Sequence, residues 1–193
     1  MSVIDTLITD RTNADVTEYM TLRAKGYFGM TTAEKALWDE GHKGAYNATD
    51  LNRVGEAIEY LEAQFNDLPG ELSTYIAALG VVPDSLFEVS YSYPISAVTA
   101  KTDWVITDIP TQTQIATYIS NINTIRAVIL LAAGTPDTPA DMEKLTYTEA
   151  NNIETILQAV DVATLALEAL KKSYADYAAK SWWYCGEAYC GGN

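Results

Sequence analysis

Along most of this chain apolar residues recur at steps of three and four, the spacing of helices that each bury one face. Over 51–65 the stripe is Leu51, Val54, Ile58, Leu61 and Phe65. Over 112–131 it is Ile115, Tyr118, Ile122, Ile125 and Ile129. In the last third, Ile153, Ile156, Val160, Ala163, Leu167, Leu170, Tyr174 and Tyr177 keep a strict three-four alternation. Such a heptad pattern suits a left-handed coiled coil or a long bundle helix. Ile119, Leu130, Leu157 and Leu165 widen the apolar faces beyond a narrow seam, which favours a bundle within one chain. A coil between chains stays open.

The helix starts are written locally. Thr31-Thr32-Ala33-Glu34, Thr111-Gln112-Thr113-Gln114 and Thr146-Tyr147-Thr148-Glu149 each have the form of a capping box. These signals predict helices over 14–25, stopped by Gly26, and over 32–40, stopped by Gly41. The run Gly44-Ala45-Tyr46-Asn47-Ala48-Thr49-Asp50 reads as a turn leading into a cap, with Asn52 and Arg53 tying the turn to the helix. Leu68-Pro69-Gly70 is expected to break the helix carrying the Leu51 stripe, with a short helix following over 71–79. Further helices are predicted over 112–131 and 147–179. Residues 86–93 alternate and are rich in β formers, ending at Pro94; 95–99 and 104–107 are candidate companion strands.

The expected fold is therefore mainly α. It is a helical bundle with a long heptad-patterned C-terminal helix, a small β element near 86–107 and a short aromatic C-terminal tail or hairpin. The parts are an N-terminal helical part at 1–68, a short helix with the β insert at 69–110, and a long helical pair with the tail at 111–193, all one cooperative domain.

The formal net charge of -14 over 193 residues argues against a broad nucleic-acid surface, which needs clustered Lys and Arg. It fits solubility and mutual repulsion between copies. No apolar run reaches the length of a membrane span, and the first residues lack the pattern of a secretory signal. Neither nucleic acid nor membrane is an expected partner.

Candidate chemistry is sparse. The one histidine, His42, lies in Gly41-His42-Lys43-Gly44 with no Gly-x-Ser-x-Gly motif in the chain, so a structural or exposed role is expected. Carboxylate pairs such as Asp39-Glu40 or Glu56/Glu59 read as solvated helix faces. Gly26-Tyr27-Phe28-Gly29 has the wrong neighbours for a phosphate loop and reads as a hinge. Cys185 and Cys190 with one histidine elsewhere make a poor zinc site and are expected as free thiols. Asn47-Ala48-Thr49 is formally a glycosylation acceptor, but reads as a cap and turn. No cofactor, metal or catalytic residue is expected. The tail carries Trp182, Trp183, Tyr184 and Tyr189, residue types that anchor interfaces or pack back onto their own bundle.

Several segments carry a resemblance. They are Thr9-Asp10-Arg11-Thr12 with Asp15, Met30-Thr31 with Glu34 and Trp38, and above all Lys43-Gly44-Ala45-Tyr46-Asn47 followed by Thr49-Asp50-Leu51-Asn52-Arg53-Val54. Later come Trp104, Asp108-Ile109-Pro110-Thr111, Leu145-Thr146-Tyr147 with Ala150-Asn151, and Trp183-Tyr184, Gly186-Glu187, Tyr189 and Gly191. In these the chain resembles small virion-associated proteins found among tail and baseplate genes of phages and prophages of Firmicutes. The resemblance weakens over 69–101, where this chain carries extra material. Relatives tend to have Ser where this chain has Cys185 and Cys190, which implies no role for the thiols.

The resemblance implies a structural or adaptor part of a phage virion, in the tail, baseplate or fibre region. Its partners would be other virion proteins, with copies of itself in a homo-oligomer. A host-surface recognition module, presenting Phe87, Tyr91 and Tyr93 from the insert, is the alternative. A cell-wall-acting enzyme is the weakest reading.

Overall fold

The computed structural model describes residues 2–79, 98–129 and 131–187, and the side chains within them apart from those of 67–79, 170–172 and 174–187. It is mainly helical, and among the described residues there is no strand. The helices are α1 (Asn13–Lys25), α2 (Thr32–Asp39), α3 (Ala48–Leu79), α4 (Gln112–Val128) and α5 (Tyr147–Glu187), with short 3-10 turns at Val3–Thr6 and Tyr27–Gly29.

Each predicted capping box is formed. The Thr31 hydroxyl accepts from the Glu34 amide and the Glu34 carboxylate accepts from the Thr31 amide. Thr111 with Gln114 and Thr146 with Glu149 do the same. A fourth box, Thr12 with Asp15, starts α1. These devices satisfy amides that the first helical turn leaves without partners. The Glu34 carboxyl is held down to about 2, first by its bond to Lys25 and then by the Thr31 amide.

The core joins α3, α4 and α5. Val54, Ile58, Leu61 and Phe65 of α3 meet Ile122 and Ile125 of α4 and Ile153, Ile156, Leu157 and Val160 of α5. Burying such side chains contributes about 1.5–3 kcal/mol each before entropy is counted. Trp104, Ile4 of the first 3-10 turn and Leu7, which caps that turn, close the edges of this core.

Helices α1 and α2 meet through the Tyr27–Gly29 turn that joins them and through one ring stack. Tyr19 and Trp38 stack with ring centroids 5.3 Å apart, and Tyr27 donates to Asp39. Their outer surface keeps Met20, Phe28 and Leu37 exposed.

Four expectations need correction. First, Pro69-Gly70 does not end the helix, because α3 runs unbroken to Leu79 and absorbs the short helix predicted at 71–79. Proline removes one helical hydrogen bond, whereas a helix already nucleated and packed as far as Phe65 needs only one bond per added residue. Second, 104–107 is a turn and not a strand. The Asp108 amide donates to the Val105 carbonyl and its carboxylate accepts from the Val105 amide, leaving Val105 and Ile106 exposed. The candidate strand at 86–93 and most of 95–99 lie outside the described residues.

Third, α4 stops at Val128 rather than 131. Ile129 is extended, and both it and Leu131 pack on the core. Fourth, the extended or hairpin tail expected from Ser181 is helical as far as Glu187. Nothing between Ala179 and Cys185 breaks a helix, so α5 continues through Trp182, Trp183 and Tyr184. Tyr189 and Cys190 lie outside the described residues. Among the described residues no helix is long and apolar enough to cross a membrane.

Candidate functional site

The most unusual local chemistry is a knot of charge inside the bundle, where the N-terminal segment meets the starts of α3 and α5. Arg11, Asp50 and Glu154 are buried and Arg53 is nearly so, an exception for side chains that normally stay in water. The Arg11 guanidinium donates to Asp50 at 2.7 Å, to Glu154 at 2.6 Å and to the Ile8 carbonyl at 2.6 Å. Arg53 donates to Glu154 through Nε at 3.0 Å and Nη2 at 2.8 Å, and pairs with Asp50 as well. The second Glu154 oxygen also accepts from the Ile8 amide at 2.6 Å.

Two cations face two anions, so the knot is neutral, and each carboxylate is bonded by both arginines. Burial alone would push the Arg53 guanidinium down, but its bonds to Glu154 and Asp50 outweigh burial and hold it above its ordinary range. Charge-assisted bonds of this kind are short and fix geometry. Glu154 accepts four hydrogen bonds and Asp50 three, and neither main cavity is lined by any of the four residues. What this knot does is hold segments in register.

Further polar contacts extend it. Asn151 clasps the backbone of Arg11, accepting from its amide and donating to its carbonyl. Asn52 does the same to the backbone of Trp104, at 2.9 and 2.7 Å. Thus Arg53 ties the turn to the helix through Asp50, as the sequence suggests, and also reaches Glu154 of α5, whereas Asn52 binds the distant Trp104 instead of its own turn. The Arg11 guanidinium lies 5.4 Å over the Tyr46 ring, and the Tyr46 and Tyr118 hydroxyls share a short hydrogen bond. Lys43 pairs with Asp10 at 2.9 Å.

Burial pushes both tyrosines well above their ordinary value of 10.0, and the nearby Glu154 charge adds to this. A raised phenol value favours the protonated, folded form. Its contribution is therefore complete below pH 10 and falls as the unfolded chain ionises above it. Ultraviolet absorbance titration of the 13 tyrosines should leave two phenols protonated after the exposed ones have ionised. Tyr46→Phe should remove one of them. Ionisation of all phenols together in the folded protein would contradict this.

The cap at the start of α3 is present, and it is tied into the knot. Asn47 accepts from the Thr49 amide, and Asp50 accepts from the Asn47 amide. Asn47→Ala should cost about 1 kcal/mol, the size of a lost cap. Asp50→Ala removes the cap partner and also leaves two arginines facing one carboxylate, so about 3 kcal/mol is expected. Equal losses for the two in urea denaturation would contradict the second role of Asp50.

His42 is buried. Its Nδ1 accepts from the Gly44 amide at 2.9 Å, and Nε2 lies 3.6 Å from Glu18. Its geometry is that of a turn lock. Among the described residues no group of three or more His, Cys, Asp or Glu is placed to hold a metal ion. Trp182, Trp183 and Tyr184 ride on the last turns of α5, away in sequence from the knot.

Sequence reasoning named Arg11 and Tyr46 only as members of longer segments and Tyr118 only as a stripe position, without joining them, and it passed over Glu154. A faint signal was there for Glu154: it lies one helical step before the apolar Leu157, beside Ile153 and Ile156 of the core face. Four of the segments singled out in the sequence come together around this knot. Residues 9–12, 43–54, Trp104 and 150–151, far apart in the chain, are neighbours through the contacts above. Comparison with family models, with curated proteins and with solved structures finds no match.

Proposed function

We propose that this protein is a structural or adaptor component of a phage virion, in the tail, baseplate or fibre region, acting through protein–protein assembly. The observation that carries the reading is the convergence of four of the resembling segments around one buried junction. Residues 9–12, 43–54, Trp104 and 150–151, far apart in the chain, lie together where the N-terminal segment, α3 and α5 are joined. A junction of this kind fixes a shape, and a virion part works by fitting neighbours with a fixed shape and symmetry.

In this reading α5 supplies two surfaces, the second of them off its heptad stripe. Its first part, from Ile153 to Val160, is spent on the bundle core. Farther along, Val162 and Leu165 are exposed, and the helix goes on toward Trp182, Trp183 and Tyr184. An aromatic end of this kind, with Tyr189 beyond it, serves as the docking end toward other virion proteins or further copies of the chain. The location is then the virion, assembled in the host cytoplasm.

Deleting the gene from the prophage that carries it tests this reading. Induction should yield particles arrested before tail completion, rescued by the wild-type gene supplied in trans. Complete, infectious particles from the deletion would overturn it.

A further inference from the structure

Helix α4 is unlike the rest of the chain. In a protein of net charge -14, its 17 residues carry one charged side chain, Arg126, which is paired with Asp137 at 3.1 Å. Tyr118, Ile122 and Ile125 are buried in the bundle, while Ala116, Ser120, Asn123 and Ala127 are exposed. Beside this outer face runs a groove of about 800 Å³, with the loop at 140–143 as its far wall. Ile115, Ile119 and Met142 form its apolar floor, and the charged groups on its rim are Asp141 and Glu143. Among the described residues neither carboxylate has a cationic partner.

We propose that this groove binds one amphipathic helix of a partner protein, with apolar residues at helical spacing and Lys or Arg along its flank. The lining from Gln112 to Ala127 spans roughly 22 Å of helix axis, room for about four turns of a bound helix. Loss of charge from the centre of a surface, with charge kept at its edge, is how protein interfaces are composed. Helix-in-groove binding needs apolar anchors three and four residues apart, and the small side chains of Ala116, Ser120 and Ala127 let such a helix come close. The rim selects the sign of the flank. Two acids without a base attract a basic helix and repel an acidic one, which also disfavours a second copy of this -14 chain. The groove is argued from its own chemistry and does not depend on the virion reading.

The probe is a dye-labelled model peptide of about 18 residues, with Leu at the third and fourth positions of each turn and Lys elsewhere. Its controls are a scrambled peptide of equal composition and a Leu/Glu peptide of equal pattern. Fluorescence anisotropy on the full chain should show roughly micromolar binding of the Leu/Lys helix. Ala116→Trp, at an exposed position, fills the groove and should weaken binding about tenfold. Asp141→Lys with Glu143→Lys should do the same. Ser120→Trp is the second blocking variant, and thermal melts identify any variant that fails to fold.

Equal binding of the Leu/Lys peptide to the blocked variants would overturn the proposal, since attraction would then come from the general negative charge. So would equal binding of the scrambled or Leu/Glu peptide. A dimer in solution that Ala116→Trp dissolves would assign the groove to a second copy and overturn it as well.

Discussion

Glu154→Leu should lower stability by about 3–5 kcal/mol, the cost of removing one partner from a buried charge network. For a chain of this size that is a drop of roughly 6–20 °C in the melting temperature. The substitution removes the acceptor of four hydrogen bonds: from the Ile8 amide, from Arg11 and twice from Arg53. Asp50 is then alone against two guanidinium groups, and one positive charge is left buried without a counter-charge. The lost packing is small by comparison, because leucine fills most of the same volume. The double variant Arg11→Met with Glu154→Leu removes one charge of each sign and leaves Arg53 paired with Asp50. It should therefore lose much less than the sum of the two single variants. Additive losses in urea denaturation would mean that the four side chains act independently and that no network exists.

Gly44→Ala should be nearly as damaging, for a different reason. Gly44 does not have a positive φ, so alanine would fit its backbone conformation. Space is what it lacks. An added Cβ would lie 2.0 Å from the Asp15 carbonyl oxygen and 2.4 Å from the Asp15 carbonyl carbon. Those are backbone atoms in the first turn of α1, and they cannot swing aside as a side chain would. Either α1 moves off the turn at 42–46 or the turn opens, releasing the His42 bond to the Gly44 amide. A loss of about 3 kcal/mol is expected, at the top of the usual range for overpacking. Gly55→Ala should cost less, because its Cβ would meet the Lys101 carbonyl oxygen at 2.8 Å. Gly29→Ala serves as the control, since only Lys25 lies near, at 3.7 Å. Denaturation curves followed by tryptophan fluorescence, which includes Trp38 stacked on Tyr19, give the ranking. A neutral Gly44→Ala would refute the close approach of the turn to α1.

What the sequence made legible follows the range of each interaction. Helix starts depend on residues three apart, and Thr31, Thr111 and Thr146 each declare their own partner. Core faces depend on periodicity, so Val54, Ile58, Ile122 and Ile153 could be read as buried. The stop at Pro69 was misread because a proline penalty is local, while helix continuation depends on what is already packed upstream. The turn at 104–107 was misread because Val105 and Ile106 are β formers whose alternation buries nothing here. The charge knot was hidden because Arg11 and Glu154 are 143 residues apart and no local pattern joins them. The docking groove was hidden for the same reason: its far wall comes from a loop outside α4.

The virion reading is tested most directly by quantitative mass spectrometry of purified particles from the phage or prophage that carries this gene. The account predicts this chain at a fixed ratio to the major tail protein, set by the symmetry of the tail or baseplate, and unchanged after further density-gradient purification. Its absence from complete particles, or an amount that falls with each purification step, would contradict the account.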